Sequence, residues 1–340
     1  MGWLAVLIAG CYAPAIPEGA PCATTTECPA PLVCSGGACR ASASTDDGAT
    51  DTPLDDGAVA DTPADGSVDA PIDAAPACAP LVTGAFSVQQ ITGVSAGGLD
   101  GSPWVSSDGL EMVFKSARAG VTPTETDLWI TTRATTASTW GQPSRIAALS
   151  SDVADGSPRL SPDRLQVWFS SARNGNADIF TATRAAIGAA WSTPVPVTEV
   201  NSDRDDEGFF VLPSLLVAYM HSARGGAGNT HRIYRTSRAS VSAPWSTPVQ
   251  VGPTDADFQN PFVTPDECVM YVQAFRSTGN VDIEVSTRAT PTGAWGAPAK
   301  IDGLASAVLE MDPFLFADQR TIYFARGSTI SSLDLWRGSR

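Results

Sequence analysis

Five copies of one motif between residues 83 and 340 constrain the fold more than any other feature of the chain. One copy, residues 157–184, reads SPRLSPDRLQVWFSSARNGNADIFTATR. An Arg ends the last segment of every copy, at steps of 51, 54, 50 and 52 residues: Arg133, Arg184, Arg238, Arg288 and Arg340. A period near 50 residues is typical of repeat architectures in which each copy is one supersecondary unit.

Each copy is predicted to form four short antiparallel strands. In the second copy these are PRLS, QVWFSSAR, DIFTATR and WSTPVPVTEV. The middle two segments alternate apolar and polar residues, and Pro-Asp and Asn-Gly supply turns. A proline recurs in the fourth segment, where its missing N–H is tolerable only at an edge, so this strand is predicted to be outermost. These prolines are Pro143, Pro194, Pro248 and Pro298.

Five such sheets predict an all-β fold, a five-bladed β-propeller over residues 83–340. The fifth copy reaches Arg340 before its fourth strand begins. A segment that resembles WSTPVPVTEV stands ahead of the first copy instead, FSVQQITGV at residues 86–94. We expect this N-terminal strand to complete the last blade, which closes the ring and removes the exposed edge.

The copies resemble the WD40-like, TolB-type (PD40) propeller repeat, S-P-D-G-x-x-ϕ-x-F-x-S-x-R-x-G-x-x-D-I-ϕ. The resemblance covers residues 97–340, and the second and fourth copies follow it most closely. The third copy, VLPSLLVAYMHSARGGAGNTHRIYRTSR, lacks both the turn Asp and the Asp of the third strand. The resemblance implies the fold and leaves the function open, because the repeat serves scaffolds, partner-binding proteins and accessory domains of enzymes.

The chain starts with MGWLAVLIAGC, whose apolar run is too short to span a bilayer but fits the core of a secretory signal. Ile8-Ala9-Gly10-Cys11 resembles the lipobox of bacterial lipoproteins. The resemblance implies a signal peptide over residues 1–10 and lipidation of Cys11, and Tyr12 at the next position implies the outer membrane, facing the periplasm or the surface. Because no Lys or Arg precedes the apolar run, an ordinary signal peptide or a buried terminus stays open.

The cysteines agree with export. Residues 11–40 form a small Cys-rich segment that lacks a core and is expected to need disulfides, with three pairings open. A zinc site is the rival, although close C-x-x-C pairs are absent. Cys78 and Cys268 either pair with each other or leave a buried free thiol at 268. The candidate disulfide cysteines are Cys22, Cys28, Cys34, Cys39, Cys78 and Cys268.

Residues 41–82 are predicted to be a disordered Asp/Ala/Pro-rich linker. Nine Asp and no Lys, Arg or Glu lie between Ala41 and Ala77, and this tract holds much of the net charge of −15. Such a composition cannot bury enough apolar surface to order itself. No basic face is visible, so the sequence argues against nucleic-acid binding. We expect a monomer that touches the membrane only through its lipid anchor.

One carboxylate per copy stands just before the first strand, where it is expected to line the rim of the central channel. Clustered oxygens suit Ca²⁺ or a cationic partner group, the single cofactor that the sequence suggests. The same DGSP pattern also suits an ordinary turn in which Asp caps backbone N–H groups. The residues are Asp100, Asp155, Asp206, Asp257 and Glu310.

Two further repeated features are interpreted as structural. Arg173 and Asp178 flank the loop between the second and third strands and are expected to pair across it. A Trp seven residues after the motif Arg is expected to pack between blades, at Trp140, Trp191, Trp245 and Trp295.

His221, His231 and Arg232 lie in the irregular third copy, and we interpret them as partner-binding residues rather than a metal cage or a catalytic triad. No nucleophile elbow, phosphate loop or H-E-x-x-H motif is present, so no catalytic residue is assigned. The prediction is a cell-envelope lipoprotein whose propeller binds a protein or ligand without catalysis. Two alternatives stay open: a five-bladed glycoside hydrolase that uses channel-mouth carboxylates, and a purely structural envelope protein.

Overall fold

The computed structural model describes residues 32–35, 38–41, 77–95, 97–118, 125–226, 228–277 and 279–340. The chain divides into two units, Met1–Asp69 and Ala70–Arg340. In the first, β1 (Leu32–Ser35) pairs antiparallel with β2 (Ala38–Ala41). Three predictions fall outside the residues whose side chains are described: the signal segment with Cys11, the pairing of the first four candidate cysteines, and the linker up to residue 76. No helix of the described residues is long and apolar enough to span a bilayer.

The second unit contains five sheets of four antiparallel strands, which confirms the predicted propeller. Blade 1 consists of β4 (Asp100–Val105), β5 (Glu111–Ser116), β6 (Asp127–Thr132) and β7 (Ser144–Arg145). Blade 2 consists of β8 (Asp155–Leu160), β9 (Gln166–Ser171), β10 (Asp178–Thr183) and β11 (Val195–Pro196). Blade 3 consists of β12 (Asp206–Val211), β13 (Val217–Ser222), β14 (Arg232–Ser237) and β15 (Val249–Val251).

Blade 4 consists of β16 (Asp257–Val263), β17 (Val269–Phe275), β18 (Val281–Thr287) and β19 (Ala299–Lys300). Blade 5 consists of β20 (Leu309–Leu315), β21 (Thr321–Gly327), β22 (Asp334–Ser339) and β3 (Ser87–Gln90), with a 3-10 turn at Ile330–Ser332 before β22. The N-terminal strand β3 therefore completes the last blade, as the sequence predicts. Its register places Ser87 opposite Ser339 and Gln90 opposite Trp336.

A second contact at the closing strand repeats the pattern of the other blades. In blades 1 to 4 the motif Arg stacks on the Trp seven residues later, with 4.3 Å between the Arg133 guanidinium and the Trp140 ring. In blade 5 the Arg340 guanidinium lies 4.4 Å from the ring of Phe86, at the start of the closing strand. Each stack connects the end of the third strand to the loop before the fourth strand of the same blade. Trp245 also belongs to one buried cluster with Trp168 of blade 2, which supports the expectation that these Trp residues pack between blades; for the other three it stays a prediction.

Backbone hydrogen bonds at the start of the first strand join blade 1 to blade 2, blade 2 to blade 3 and blade 5 to blade 1. Asp155 N–H donates to Thr126 O at 2.7 Å and Asp206 N–H to Ala177 O at 2.7 Å. Asp100 N–H donates to Leu333 O at 2.9 Å, and this bond connects blade 5 to blade 1. The five sheets thus form a closed ring around a central channel.

The first strand of every blade has one residue in the left-handed backbone region, next to a β-bulge. The φ values are between 47° and 63° at Ser102, Ser157, Gly208, Asn260 and Asp312. In all five blades the register with the second strand shifts at this point, as between Gly101 and Trp104 in blade 1. A bulge turns the strand locally, so these small or polar residues sit in the channel.

Two local predictions differ from the structure. The fourth strands are only two to four residues long, and the recurring prolines precede them, as Pro194 precedes Val195; their position at the outer edge is confirmed. The predicted Arg173–Asp178 pair is wrong, because Arg173 turns back to Asp155 at 2.8 Å, while Asp178 accepts from the Asn174 side chain.

One disulfide ties the start of the second unit to blade 4. Cys78 is bonded to Cys268 across 190 residues of sequence, with a Cα–Cα distance of 5.6 Å. Cys268 is buried at the start of the second strand of its blade, and Cys78 N–H donates to Ala289 O at 2.9 Å. Of the two alternatives that the sequence left open, the pairing of these cysteines is the one present.

Candidate functional site

Four of the five predicted rim carboxylates are engaged inside their own blades. Asp100 pairs with Arg118 at 2.7 Å and Asp155 with Arg173 at 2.8 Å, and Asp206–Arg224 and Glu310–Arg326 (3.2 Å) follow the same plan. All four carboxylates are fully buried. The second oxygen of Asp155 accepts from Ser151 N–H at 2.6 Å, so the carboxylate also fixes the loop that enters the blade. A cation site on these residues stays a prediction.

Asp257 occupies a different position from the other four. Asp155 lies opposite Ser171 in the second strand, but the corresponding partner in blade 4, Ala274, lies opposite Phe258. Phe258 therefore takes the buried place of the carboxylate, and the side chain of Asp257 points elsewhere, since a shift of one residue reverses the face of a strand. The blade 4 arginine, Arg276, pairs with Glu284 and Asp255 instead.

The displaced Asp257 belongs to a cluster of titratable groups at one end of the channel. We call this end the polar mouth and define it by Glu207, His221, His231, Asp257 and Gln259. The His221 and His231 rings lie 5.2 Å apart, and His221 Nε2 is 3.5 Å from Glu207 Oε2. His231 Nδ1 is 3.4 Å from Asp257 and 3.1 Å from the Gln259 amide.

The cluster perturbs the acid–base properties of its members. Burial alone lowers the pKa of His231, but the hydrogen bond with Asp257 and the charges of Asp257 and Glu207 outweigh burial and raise the pKa above its usual value. Burial would likewise raise the pKa of Glu207, but the hydrogen bond and charge of His221 hold it well below its usual range. Two acidic and two imidazole groups therefore share one partly enclosed site.

Gly208 makes this arrangement sterically possible. A Cβ at this position would lie 2.6 Å from His221 Nδ1 and 2.9 Å from Asn260 Oδ1. The residue also has a φ of +63°, which favours glycine. Sequence reasoning chose His221 and His231 only as residues of an irregular copy, and it did not place them beside Glu207. Arg232 turns from the cluster and donates to Ala256 O at 2.9 Å, which joins blade 3 to the loop before blade 4.

Below the polar mouth, a buried polar layer fills the channel. Asp312 accepts from Ser102 N–H at 2.8 Å and lies 3.5 Å from Lys115 Nζ, and the Asn260 side-chain amide also donates to it. Arg159 comes next along the channel. Its guanidinium donates to Pro158 O at 3.0 Å, and burial lowers its pKa to about 10 although Asp312 opposes this shift.

Aromatic side chains close the channel at the level of Arg159. The rings of Phe210 and Phe262 are 4.9 Å apart, those of Phe262 and Phe314 5.9 Å, and those of Trp104 and Phe314 6.0 Å. One such residue comes from each of blades 1, 3, 4 and 5, and Arg159 holds the equivalent place in blade 2. Edge and tilted contacts at these distances are the favourable geometries for aromatic pairs.

The aromatic layer forms the floor of a cavity of about 220 Å³ that opens at the other end of the channel. We call this cavity the apolar mouth. All five blades line it, and exposed residues of the turns between first and second strands form its edge: Ser107, Pro162, Pro213, Pro265 and Ala317. An exposed Asp follows four of these five residues, at Asp108, Asp163, Asp266 and Asp318.

The aspartates of this rim also hold the turns. Ser106 Oγ donates to Asp108 Oδ1 at 2.5 Å, and Leu110 N–H donates to the same oxygen at 3.0 Å. The same contacts recur at Asp163 in blade 2. One oxygen of each of these carboxylates is thus used locally, and Arg164 Nη1 lies 3.3 Å from the other oxygen of Asp108. The exposed carboxylates therefore surround the apolar floor with negative charge that Arg164 offsets in part.

No family model and no curated protein matches this chain. Several solved structures are similar to this chain in fold. An endo-arabinase from Bacteroides thetaiotaomicron VPI-5482 is 11% identical, with a TM-score of 0.55 over 74% of this chain and 96% of its own. The catalytic domain of the Coprinopsis cinerea GH62 alpha-L-arabinofuranosidase is 14% identical, with a TM-score of 0.53 over 75% of this chain and 96% of its own.

TolB from Acinetobacter baumannii is 15% identical, with a TM-score of 0.46 over 70% of this chain and 54% of its own, so the match spans about half of that TolB chain. Identities this low show the fold alone. The fold that this chain shares with the endo-arabinase and the arabinofuranosidase does not by itself fix an activity.

Proposed function

We propose that the propeller is a non-catalytic binding module and that a partner protein docks at the apolar mouth. The observation that carries this proposal is the cavity of about 220 Å³, which is lined by all five blades and floored by aromatic side chains. A concave apolar site with polar groups at its edge is the usual form of a binding pocket. Its volume suits one large apolar side chain of the partner.

The charge of the rim indicates the chemistry of the partner. Four exposed aspartates encircle the apolar mouth, and the whole chain carries a net charge of −15. Complementary charge speeds association and rejects wrong partners. We therefore infer a partner segment in which an apolar side chain is flanked by Lys or Arg.

Ion pairing inside the blades favours binding over hydrolysis. A glycosidase needs two carboxylates in unequal environments at the scissile bond. Here Asp100, Asp155, Asp206 and Glu310 each pair with an arginine of their own blade. Their equivalent positions and shared bracing role support the choice of a binding module.

We also propose that the protein works in the cell envelope as a lipoprotein anchored through Cys11, in the outer membrane. The motif Ile8-Ala9-Gly10-Cys11 supports the anchor. The Cys78–Cys268 disulfide supports an oxidising compartment, where such bonds persist.

Blocking the apolar mouth is expected to abolish partner capture. Ala317 is exposed at the edge of the cavity, so Ala317→Lys adds both bulk and a charge that repels a basic segment. Like charges placed together in an interface cost several kcal/mol, so we expect at least a roughly tenfold loss of the captured protein. The measurement is quantitative pull-down from cross-linked envelopes with the full chain as bait.

The matched control is Ala185→Lys. Ala185 is exposed in the loop between the third and fourth strands of blade 2 and does not line the cavity. Capture that survives Ala317→Lys, or that both variants reduce equally, would contradict docking at the apolar mouth.

A further inference from the structure

We propose that Glu207, His221 and His231 form a binding site for a zinc-type divalent metal ion at the polar mouth. This inference goes beyond the proposed binding function and does not rest on it, because the site lies at the opposite end of the channel from the apolar mouth. One ligand atom from each residue lies within 4.8 Å of the others. Two imidazoles and a carboxylate are a donor set that zinc favours, with a fourth position left for water or another ligand.

The geometry of the first pair is close to that of a metal site. Glu207 Oε2 and His221 Nε2 are 3.5 Å apart. Two ligands at tetrahedral zinc, each bonded at about 2.0–2.1 Å, are separated by about 3.4 Å. The Glu207 side chain is partly exposed, so it can adjust its position and gives the ion a route from solvent.

The second histidine provides independent support. His231 Nε2 is buried and finds no hydrogen-bond partner among the described residues. The other ring nitrogen, Nδ1, lies 3.4 Å from Asp257 and 3.1 Å from the Gln259 amide nitrogen, which itself donates to Asp257 at 3.2 Å. A metal-binding histidine commonly donates its second N–H to a carboxylate, which orients the ring and makes the free nitrogen a better ligand. The one-residue shift of blade 4 is what brings Asp257 to this place.

His221 must change its tautomer to bind a metal through Nε2. Its Nδ1 accepts from Asn260 N–H at 3.1 Å, so the neutral ring carries its proton on Nε2, toward Glu207. Metal at Nε2 moves the ring proton to Nδ1, and the bond from Asn260 N–H is lost. The loss of this hydrogen bond lowers the affinity of the site for the metal, and the move of the ring proton from Nε2 to Nδ1 is a change that NMR can detect.

The surrounding charges on balance favour a cation. Asp257 faces His231, and Asp205 and Glu207 add negative charge to the same ring. Lys115 is the opposing charge near Glu207, but its ammonium pairs with Asp312. All three ligands belong to blade 3, the copy in which Arg232 replaces the Asp of the third strand. A metal ion there would link the first two strands to the loop before the third.

Titration of the full chain with Zn²⁺ tests the proposal, with the side-chain nitrogens of histidine followed by NMR. The chain contains only two histidines, so every imidazole signal reports on this site. We expect both rings to shift at one equivalent of metal, with the proton of His221 moving from Nε2 to Nδ1. Zinc bound by cysteine thiolates instead would leave both imidazoles unchanged, and that result would overturn the proposal.

Substitutions that preserve shape complete the test. Glu207→Gln is expected to weaken Zn²⁺ binding to the histidine site by at least about tenfold, and Asp257→Asn, which acts through His231, by about tenfold. Glu199→Gln, at an exposed carboxylate outside the polar mouth, is the control and should leave the affinity unchanged. Thermal unfolding without metal checks that each variant folds. Equal affinity of Glu207→Gln and Glu199→Gln would contradict the assigned ligands.

Discussion

Replacing Asp155 by Ala is expected to lower the free energy of unfolding by about 3 kcal/mol, whereas Asp257→Ala is expected to lower it by less than about 1 kcal/mol. The buried Asp155 carboxylate pairs with Arg173 at 2.8 Å and accepts from Ser151 N–H. Removing one partner of a buried pair leaves an uncompensated charge and typically costs about 3–5 kcal/mol. We choose the lower value because Arg173 is partly exposed. Asp257 contacts His231 at 3.4 Å at a partly exposed position, where such pairs contribute little.

Urea denaturation of both variants measures this difference, and the two substitutions remove the same atoms. The comparison tests the one-residue shift of blade 4, since the repeat alone assigns Asp155 and Asp257 the same role. Equal losses of stability in the two variants would show that Asp257 braces its blade as Asp155 does, and the shift would then be wrong.

Replacing Asp312 by Ala is expected to destabilise the protein by about 3–5 kcal/mol, the cost of breaking a buried charged network. Asp312 is fully buried in the channel and joins three blades. Its oxygens accept from Ser102 N–H in blade 1 and from the Asn260 amide in blade 4, and Lys115 lies 3.5 Å away. Without the carboxylate, these donors and the buried Arg159 lose their acceptor or their counter-charge.

Asp312→Asn distinguishes an ionised carboxylate from a neutral one. Both oxygens of Asp312 accept from N–H donors, so an amide would direct its own N–H group at one of them, and we expect it to be nearly as destabilising as Ala. Asp302→Asn, at an exposed position, is the control and should stay within about 0.5 kcal/mol of the native chain. Native stability of Asp312→Asn, measured by urea denaturation, would contradict the network.

The fold could be predicted because its information is local and repeated. The Arg at near-constant spacing fixes the blade count, and the Trp seven residues later marks the fourth strand. Phe86 takes the place of that Trp in the closing segment, and the structure stacks it on Arg340. A closed ring leaves no edge strand exposed, so the fourth strand that the last copy lacks is expected in the segment ahead of the first copy.

The roles of the repeated charges could not be predicted, because they depend on which residues face each other. Arg173 is nearer in sequence to Asp178, yet it pairs with Asp155, 18 residues earlier, across two adjacent strands. The shift at Asp257 left a trace in the sequence. Asp100 and Asp155 stand three residues before a proline, but Asp257 stands four residues before Pro261.

The polar mouth could not be predicted because it depends on contacts between separate segments. Glu207 and His221 lie opposite each other in neighbouring strands, and His231 comes from the following loop. The sequence offered one indirect signal. Gly208 stands where the other copies place Ser, Asn or Asp in the left-handed region, and only glycine leaves space for the His221 ring.

A cross-link between the first and last strands tests the closed ring most directly. Gln89 lies opposite Arg337, so the full chain carrying Gln89→Cys and Arg337→Cys is expected to form a disulfide between these positions on oxidation, identified by mass spectrometry of the linked peptides. Gln89→Cys with Ser144→Cys, on the outer strand of blade 1, should not cross-link. A Gln89–Ser144 link, or no Gln89–Arg337 link in the folded protein, would show that the N-terminal strand does not complete the last blade, and both mouths of the channel would lose their structural basis.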